Sequence, residues 1–384
     1  MKHIERSFEI ELKNRLSEKP RFIQCVLGPR QIGKTSGVRH VLETYFVKSN
    51  FHYASCDDKH ADSDWIYQQF QIANEKKSEI IAIDEIQKIE NWNESIKNIF
   101  DSLKKNKELK HIVLLGSSSL KISQGLSDSL AGRFEIISAY HWPYHESHKL
   151  SGISFDDYVR SGGYPESYFL LKDSDRFRNY IVDSIFESVI SKDILRYAQV
   201  RKPALFRQTF LLACQYPAQE ISYNKLLGQL KDAGNVDQIK YYLDLFAQAF
   251  LIRLVFKWGS NLKTRTSSPK LLPSASVFSS VFAVGEYTSD FKGHIFECLV
   301  GNRLCETFKD KVFYWHEGAY ELDYVIEYNH QVYGIEVKSG RSLKATSLGQ
   351  FRAKFKKAKT IIINIENYQK FELDPKNFIL ENSV

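Results

Sequence analysis

The chain of 384 residues is long enough for two or three compact domains, and its 43% hydrophobic and 26% charged residues are typical of a soluble globular protein. The formal charge of +7 favours an anionic partner, with nucleic acid as one candidate. The five cysteines lack CxxC spacing, the charged start MKHIERSFEIELKNRL argues against a signal peptide, and no apolar run reaches the roughly 20 residues of a membrane helix. We therefore expect a cytoplasmic protein with reduced thiols and no membrane partner.

The first predicted element is a buried strand, FIQCVL at 22–27, followed by GPRQIGKT and a helical pattern through about Val47. Strand, glycine loop and helix form the context in which GxxxxGK[ST] binds phosphate through main-chain amides and the positive end of the helix. Lys34 is expected to reach the outer phosphates, and the Thr35 hydroxyl to ligate Mg²⁺. The predicted nucleotide-contacting positions are Gly28, Pro29, Arg30, Gln31, Ile32, Gly33, Lys34, Thr35 and Ser36.

Two further apolar runs predict neighbouring strands that end in polar residues. EIIAIDEIQ at 79–87 places Asp84 near the Mg²⁺ site and Glu85 where it can polarise the attacking water. HIVLLG at 111–116 precedes Ser117, which either touches the γ-phosphate or water, or caps the next helix. Arg133, in SLAGRFE, is either a solvated surface group or a residue that stabilises transition-state charge in a neighbouring subunit.

These segments resemble a prokaryotic AAA+ family in which the ATPase is fused to a C-terminal domain of long-undefined function. The resemblance rests on GPRQIGKT, IDEIQKIENW, LLGSSS, SLAGRFE and GGYPE and covers nearly the whole chain. It implies ATP and Mg²⁺ as ligands of Lys34, Thr35, Asp84 and Glu85, with Ser117 as the first sensor. It also implies an arginine finger at Arg133 and a homo-oligomer, such as a ring, with sites between subunits. The glycine loop alone does not separate ATP from GTP, whereas the family likeness favours ATP.

The middle of the chain is predicted to be mostly helical. Residues 151–204 fit the small helical lid of an AAA+ module, and 205–260 give helix, turn, helix and a strand, which is a winged-helix pattern. The helix that starts near Val236 would enter the major groove of DNA, or the domain would serve as a spacer or protein contact. Residues 258–276, rich in Ser, Lys and Pro, predict a linker.

The last part of the chain predicts a helix at 291–307, a strand, a hairpin at 322–338, a helix at about 344–359 and a final strand. With a two-residue loop at 329–330, Asp323 lies opposite Glu336, where the two carboxylates could share a divalent metal. Lys338 then lies one pleat away and could orient a water or stabilise negative charge. A three-residue loop would shift the register by one and separate the two carboxylates.

The pattern D-x(12)-E-x-K on a hairpin between helices resembles the PD-(D/E)xK nuclease fold. That resemblance implies metal binding by Asp323, Glu336 and Glu297, the last on the preceding helix, and phosphodiester cleavage with a second divalent metal. The chain departs from the family after SPKL, where LPSAS stands in place of a segment with an aspartate. Basic residues at 344, 352, 354, 356, 357 and 359 form either a phosphate-tracking face or an ordinary solvated helix.

The predicted fold class is therefore α/β: an AAA+ core at 1–150, a helical lid at 151–204, a winged-helix-like domain at 205–260, and a linker with a restriction-endonuclease-like domain at 261–384. The leading hypothesis is an ATPase that binds and processes duplex or branched DNA, with cleavage by the C-terminal domain left open. The alternatives are an ATP-gated switch whose tail binds a protein or nucleic acid without cutting it, and a structural remnant with weak turnover.

Overall fold

The computed structural model describes residues 3–57, 62–116, 129–196, 198–230, 234–259, 267–340 and 346–384. Its contacts group the chain into two compact units, which are described separately. Unit 1 comprises Met1–His141 and Ile185–Gln199, and unit 2 comprises Trp142–Ser184 and Val200–Val384. The domain boundaries expected at 150, 204 and 260 remain predictions.

Unit 1 is a five-stranded parallel sheet with helices, and its strand order is β2-β3-β4-β1-β5. Its elements are α1 Ser7–Leu16, β1 Ile23–Leu27, α2 Lys34–Tyr45, β2 Phe51–Ser55, α3 Ser63–Glu75, β3 Ile80–Asp84, α4 Trp92–Lys105, β4 His111–Gly116 and β5 Phe134–Ser138. Short helical segments at Glu187–Val189 and Ile190–Ile194 complete the unit. Strands β1, β3 and β4 are buried along their whole length, which explains why they read as continuous apolar runs.

The loop between β1 and α2 lies at the carboxyl edge of this sheet, where parallel α/β sheets bind ligands. Gly28 permits close packing there, because a Cβ at this position would lie 2.0 Å from the Ala139 carbonyl oxygen. Helix α2 is fixed below the loop by its buried side chains Val38, Val41 and Leu42. The local apolar pattern therefore sets the position at which the loop presents its amides.

Unit 2 contains helices and a six-stranded mixed sheet of order β11-β10-β9-β8-β6-β7. Its helices are α5 Tyr144–Ser151, α6 Phe155–Ser161, α7 Ser174–Asn179, α8 Pro203–Gln215, α9 Tyr223–Gln229, α10 Val236–Gln248, α11 Ser276–Phe282, α12 Ser289–Phe308, α13 Thr346–Lys354, α14 Tyr368–Leu373 and α15 Pro375–Asn382. Its strands are β6 Ile252–Lys257, β7 Lys270–Pro273, β8 Val312–Glu317, β9 Tyr320–Tyr328, β10 Gln331–Lys338 and β11 Lys359–Asn364. The main core joins α5 and α6 to α12 and the sheet, through residues such as Tyr158 and Phe296.

The hairpin of β9 and β10 has the two-residue loop expected from the sequence. Tyr328 pairs with Gln331, and the antiparallel register runs unchanged to Tyr324 opposite Ile335. Asn329 and His330 both have positive φ, 48° and 62°, as a type I′ turn requires. This turn matches the twist of the strands, so the register prediction is confirmed over these pairs.

Helix α12 packs very closely on β9. A Cβ at Gly301 would lie 2.2 Å from the Tyr324 hydroxyl oxygen, so only glycine permits this approach. The same hydroxyl donates a hydrogen bond of 2.9 Å to the Glu297 carbonyl oxygen. This bond fixes α12 at Glu297, whose side chain was expected to bind metal together with Asp323 and Glu336.

The predicted linker at 258–276 needs correction. Within it, Lys270–Pro273 is a fully buried strand paired with β6, and α11 begins at Ser276. The Ser, Lys and Pro content misled the prediction because this four-residue strand is too short to give an alternating pattern. The strand expected to complete the winged-helix pattern, β6, also pairs in parallel with β8 and so belongs to the six-stranded sheet.

The predicted basic helix at 344–359 is shorter than expected. The described helix ends at Lys354, and Lys359 already belongs to β11. Lys354 forms an ion pair with Glu317, and position 344 lies outside the described residues. The six basic residues therefore do not share a single helix. Within the described ranges, no helix combines the length and apolar character needed to cross a membrane.

Candidate functional site

The phosphate loop of unit 1 holds its lysine in a buried position. Gly28, Pro29, Arg30, Gln31, Ile32 and Gly33 form the loop, and Lys34, Thr35 and Ser36 open helix α2. Lys34 is 9% exposed, and its Nζ donates to the carbonyl oxygens of Gly28 at 2.9 Å and Pro29 at 2.5 Å. Burial lowers the pKa of Lys34 to about 8, although Glu85, Asp84 and Asp193 oppose the shift. The ammonium thus lies at the loop, bonded to main-chain carbonyls and to no carboxylate among the described residues.

Asp84, at the end of β3, connects the loop to the strand edge. Its Oδ2 accepts hydrogen bonds from the Thr35 hydroxyl at 2.7 Å and the Tyr53 hydroxyl at 2.5 Å. Its Oδ1 accepts from the Glu85 main-chain amide at 2.8 Å. Asp84 and burial together raise the pKa of Tyr53, so the phenol remains a donor. The hydroxyl and carboxylate expected to ligate Mg²⁺ are therefore adjacent, and oxygen donors of this kind fit that ion.

Glu85 follows Asp84 in a left-handed backbone conformation, with φ of 55°. Its carboxylate accepts a hydrogen bond of 2.6 Å from the Gln87 side-chain amide. Strain of this kind is concentrated at functional sites, where the surrounding structure maintains it. The geometry fixes Glu85 at the strand edge beside Asp84, and Gln87 is a partner that the sequence analysis did not identify.

Sequence reasoning also missed the partner of Arg30. Its Nε and Nη2 each donate at 2.7 Å to the carboxylate of Asp193, which is 3% exposed in the segment Ile190–Ile194. A bidentate arginine–carboxylate pair fixes both position and orientation. No motif surrounds Asp193, and its separation of 163 residues from Arg30 hides the contact from local patterns.

The two remaining predicted residues of this unit differ in outcome. Ser117 lies outside the described residues. Arg133 donates to Asp101 of α4, with its Nε at 2.8 Å from Oδ1 and its Nη2 at 2.9 Å from Oδ2. The hydrogen-bonded Arg133 lowers the pKa of Asp101. Arg133 is therefore paired within its own chain.

Unit 2 places an unexpected cation beside Glu297 and Asp323, two of the three carboxylates expected to bind metal, and beside Glu321, which the sequence analysis did not identify. Lys270 of β7 is 1% exposed, and its Nζ lies 2.7 Å from Glu297 Oε1, 3.1 Å from Glu321 Oε1 and 3.7 Å from Asp323 Oδ1. Although burial opposes the charge, these acids raise the pKa of Lys270. The Lys270 ammonium therefore offsets part of the negative charge of this acidic cluster.

The second half of the cluster is built by β10. The Val337 amide donates to Asp323 Oδ2 at 2.7 Å, and Lys338 Nζ donates to Glu336 Oε1 at 2.5 Å. Glu336 Oε2 is buried and has no hydrogen-bond partner among the described residues. Burial raises the pKa of Glu336, with Lys338 opposing the shift.

The pKa values of two buried acids in this cluster shift in opposite directions. Burial strongly raises the pKa of Asp323, and the nearby Glu297 and Glu336 add to the shift. Glu297 is buried as well, but Lys270 and His294 bring its pKa below the ordinary value. Lys270 therefore opposes burial most effectively at Glu297, the carboxylate nearest to it, whereas burial dominates at Asp323.

The predicted metal site of Glu297, Asp323 and Glu336 does not fit this arrangement. The three side chains do not bring one oxygen each within 4.8 Å of one another. The Lys270 ammonium lies beside Glu297 and Asp323, two of the three carboxylates to which a divalent cation was expected to bind. Sequence reasoning missed Lys270 because it lies in the predicted linker. The apolar residues 271–273 that follow it were the sequence signal of a buried strand.

The strand, glycine loop and helix of unit 1, with Asp84 bonded to Thr35, define a P-loop NTPase site. Residues 20–148 match the family described as an AAA domain. Residues 20–148 are therefore similar to an AAA domain, in agreement with the P-loop that they contain. Residues 153–273 and 292–379 match two families described as domains of unknown function, DUF8612 and DUF4143.

Relatives share modest sequence identity with this chain, one over nearly its whole length and another over part of it. An uncharacterized protein of Methanocaldococcus jannaschii is 24% identical, covering 99% of this chain and 89% of that protein. One from Haemophilus influenzae is 23% identical, covering 60% of this chain and 61% of that protein. Among solved structures, a Walker-type ATPase of Pyrococcus abyssi has a TM-score of 0.49 at 13% identity, covering 72% and 94% of the two chains.

Proposed function

We propose that the chain hydrolyses ATP with Mg²⁺ at the loop of residues 28–36. The bond of 2.7 Å between Thr35 Oγ1 and Asp84 Oδ2 carries the proposal, because it unites the two groups that hold Mg²⁺ in P-loop enzymes. When bound, Mg²⁺ would neutralise charge on the outer phosphates. Lys34 would exchange its bonds to two loop carbonyls for phosphate oxygens, and Glu85 would orient the attacking water.

Removal of the metal tests this proposal directly. ATP turnover by the full chain is expected in Mg²⁺ and is expected to vanish when EDTA exceeds the metal. Thr35→Ala should raise the Mg²⁺ concentration needed for half-maximal turnover, because the metal loses one oxygen ligand. Thr44→Ala, at the exposed far end of α2, is the matched control and should leave that concentration unchanged. Turnover that persists in EDTA would refute the proposal.

We propose further that the protein assembles into oligomers in which Arg133 acts on the nucleotide of a neighbour. The pair with Asp101 holds Arg133 in place and must open for that contact. The ATPase rate per subunit should then rise with protein concentration and reach a plateau on assembly. Arg133→Ala should remain low at every concentration, whereas a wild-type rate independent of concentration would contradict shared sites.

We also propose that unit 2 binds duplex or branched DNA, so that ATP hydrolysis serves DNA processing. The net charge of +7 supports an anionic partner. DNA binding should weaken steeply as salt rises, and DNA should stimulate ATP turnover. ATP turnover that responds to a protein partner and ignores DNA would instead favour the ATP-gated switch.

Cleavage of DNA is a second proposal for the same unit. It is favoured by the partnerless oxygen of Glu336 beside Lys338, which leaves one carboxylate oxygen available. A metal at Glu297 and Asp323 would have to compete with the Lys270 ammonium, so metal-dependent cleavage requires Mg²⁺ or Mn²⁺ to displace that ammonium. Labelled duplexes, junctions and single strands in Mg²⁺ or Mn²⁺ should be cut by the parent and not by Asp323→Asn. Equal cutting by both would exclude this site.

A further inference from the structure

A buried carboxylate lies near the N-terminus, outside the nucleotide site. Glu9 of α1 is 1% exposed, and its Oε1 lies against α2, where a Cβ on Gly37 would approach it to 2.8 Å. His3 Nε2 lies 2.7 Å from Glu9 Oε2. His40, one turn beyond Gly37 on α2, stacks on His3 with ring centroids 3.6 Å apart. Two imidazoles and a carboxylate from three separate segments thus converge.

These three side chains form the one group in the described part of the chain whose possible ligand atoms all lie within 4.8 Å of one another. Imidazole nitrogen and carboxylate oxygen are ordinary zinc ligands, and three protein ligands with a fourth open position form a recognised zinc arrangement. Borderline metals such as Zn²⁺ prefer this set, whereas Mg²⁺ and Ca²⁺ prefer oxygen alone. The donor set therefore selects the class of metal.

The alternative is a simple ion pair between Glu9 and its histidines. Two stacked imidazolium ions would repel each other, so full charge compensation by both rings is unfavourable. A divalent metal compensates the carboxylate while both rings stay neutral, which is the form that ligates.

We propose that His3, Glu9 and His40 bind a divalent transition metal of the zinc type, which fastens the N-terminal segment onto α2. Arg6 lies on the same segment and donates at 3.0 Å to the Ile32 carbonyl of the phosphate loop and at 2.9 Å to the Tyr140 carbonyl. The metal would therefore fasten a segment that directly supports the loop. This site is independent of the proposed ATP hydrolysis.

The test is a titration of the metal-free full chain with Zn²⁺ alone, followed by calorimetry, in the absence of nucleotide. We expect saturable binding of one ion and a rise in melting temperature. His3→Ala, His40→Ala and Glu9→Gln should each weaken binding by at least about tenfold, since even outer-shell partners contribute that much. His330→Ala, in the exposed hairpin turn, should bind like the parent.

Several results would overturn the proposal. They are the absence of saturable binding by the parent, affinities in the variants equal to that of the parent, and binding that needs His3 but neither Glu9 nor His40. His3 is partly exposed, so His3→Ala should fold even where Glu9→Gln fails, and circular dichroism verifies this. The Zn²⁺ affinities of His3→Ala and His40→Ala therefore decide the outcome.

Discussion

Lys34→Ala is expected to reduce ATP turnover by about 100-fold to 1000-fold, the usual loss when one preorganised donor to a developing charge is removed. The side chain is 9% exposed and lies within the loop, bonded to the carbonyls of Gly28 and Pro29. A triphosphate would offer the ammonium a far stronger acceptor than these neutral oxygens. Alanine removes that charge without filling the loop. Turnover is measured as phosphate released under saturating Mg²⁺ and ATP.

Two comparisons make this result specific. Lys48→Ala, an exposed lysine just beyond α2, should retain parental turnover. Glu85→Gln should hydrolyse poorly yet bind ATP well, because it lacks only the carboxylate that orients water, whereas Lys34→Ala should lose binding too. If Lys34→Ala keeps parental turnover, the assignment of the loop as the ATP site is wrong.

The pH dependence gives an additional signature of Lys34. Because burial lowers its pKa to about 8, the ammonium of the nucleotide-free protein is charged below that pH and is lost above it. The KM for ATP should therefore rise above about pH 8 in the parent. In Lys34→Ala, the KM for ATP should not show this rise above about pH 8.

The parts of the molecule that were predicted correctly depend on short-range sequence patterns. The phosphate loop needs a buried strand, two glycines and a helix start within about a dozen residues. The hairpin register follows from the turn at Asn329 and His330 alone, because two residues with positive φ fix the pairing of all that follow. In both cases the chain itself holds the interacting residues together.

The parts that were missed depend on contacts between distant segments. Lys270 is 27 residues from Glu297 and Asp193 is 163 residues from Arg30, and neither lies in a motif. A buried charge is costly unless it is paired, but the sequence does not show which charges will be buried. Only the fold identifies Lys270 as the cation of the acidic cluster. The sequence therefore predicted a metal ion beside Glu297, where the structure has the Lys270 ammonium.

Lys270→Met is expected to destabilise the protein by about 3–5 kcal/mol at pH 8, since removing one partner of a buried ion pair leaves uncompensated charge. The methionine preserves the apolar stem and the volume but not the ammonium, which lies 2.7 Å from Glu297 and 3.1 Å from Glu321. Lys292→Met is the matched control, because Lys292 pairs with Asp156 on the exposed surface. Lys292→Met should lower the free energy of unfolding by at most about 1 kcal/mol. Urea denaturation measures both.

The loss of stability caused by Lys270→Met should be smaller at pH 5 than at pH 8. Without Lys270, the pKa of Glu297 should rise from its lowered position and that of Asp323 should rise further, because burial raises both and Lys270 opposes that effect in the folded state. The folded state then binds more protons than the unfolded chain, so its stability falls as pH rises through this window. Adding Glu297→Gln and Asp323→Asn to Lys270→Met should recover at least half of the loss, because the two buried carboxylates near the lost ammonium are then neutral and the remaining Glu321 is 46% exposed to water. A loss that is independent of pH, or equal to that of Lys292→Met, would show that the cation does not hold the acidic cluster together.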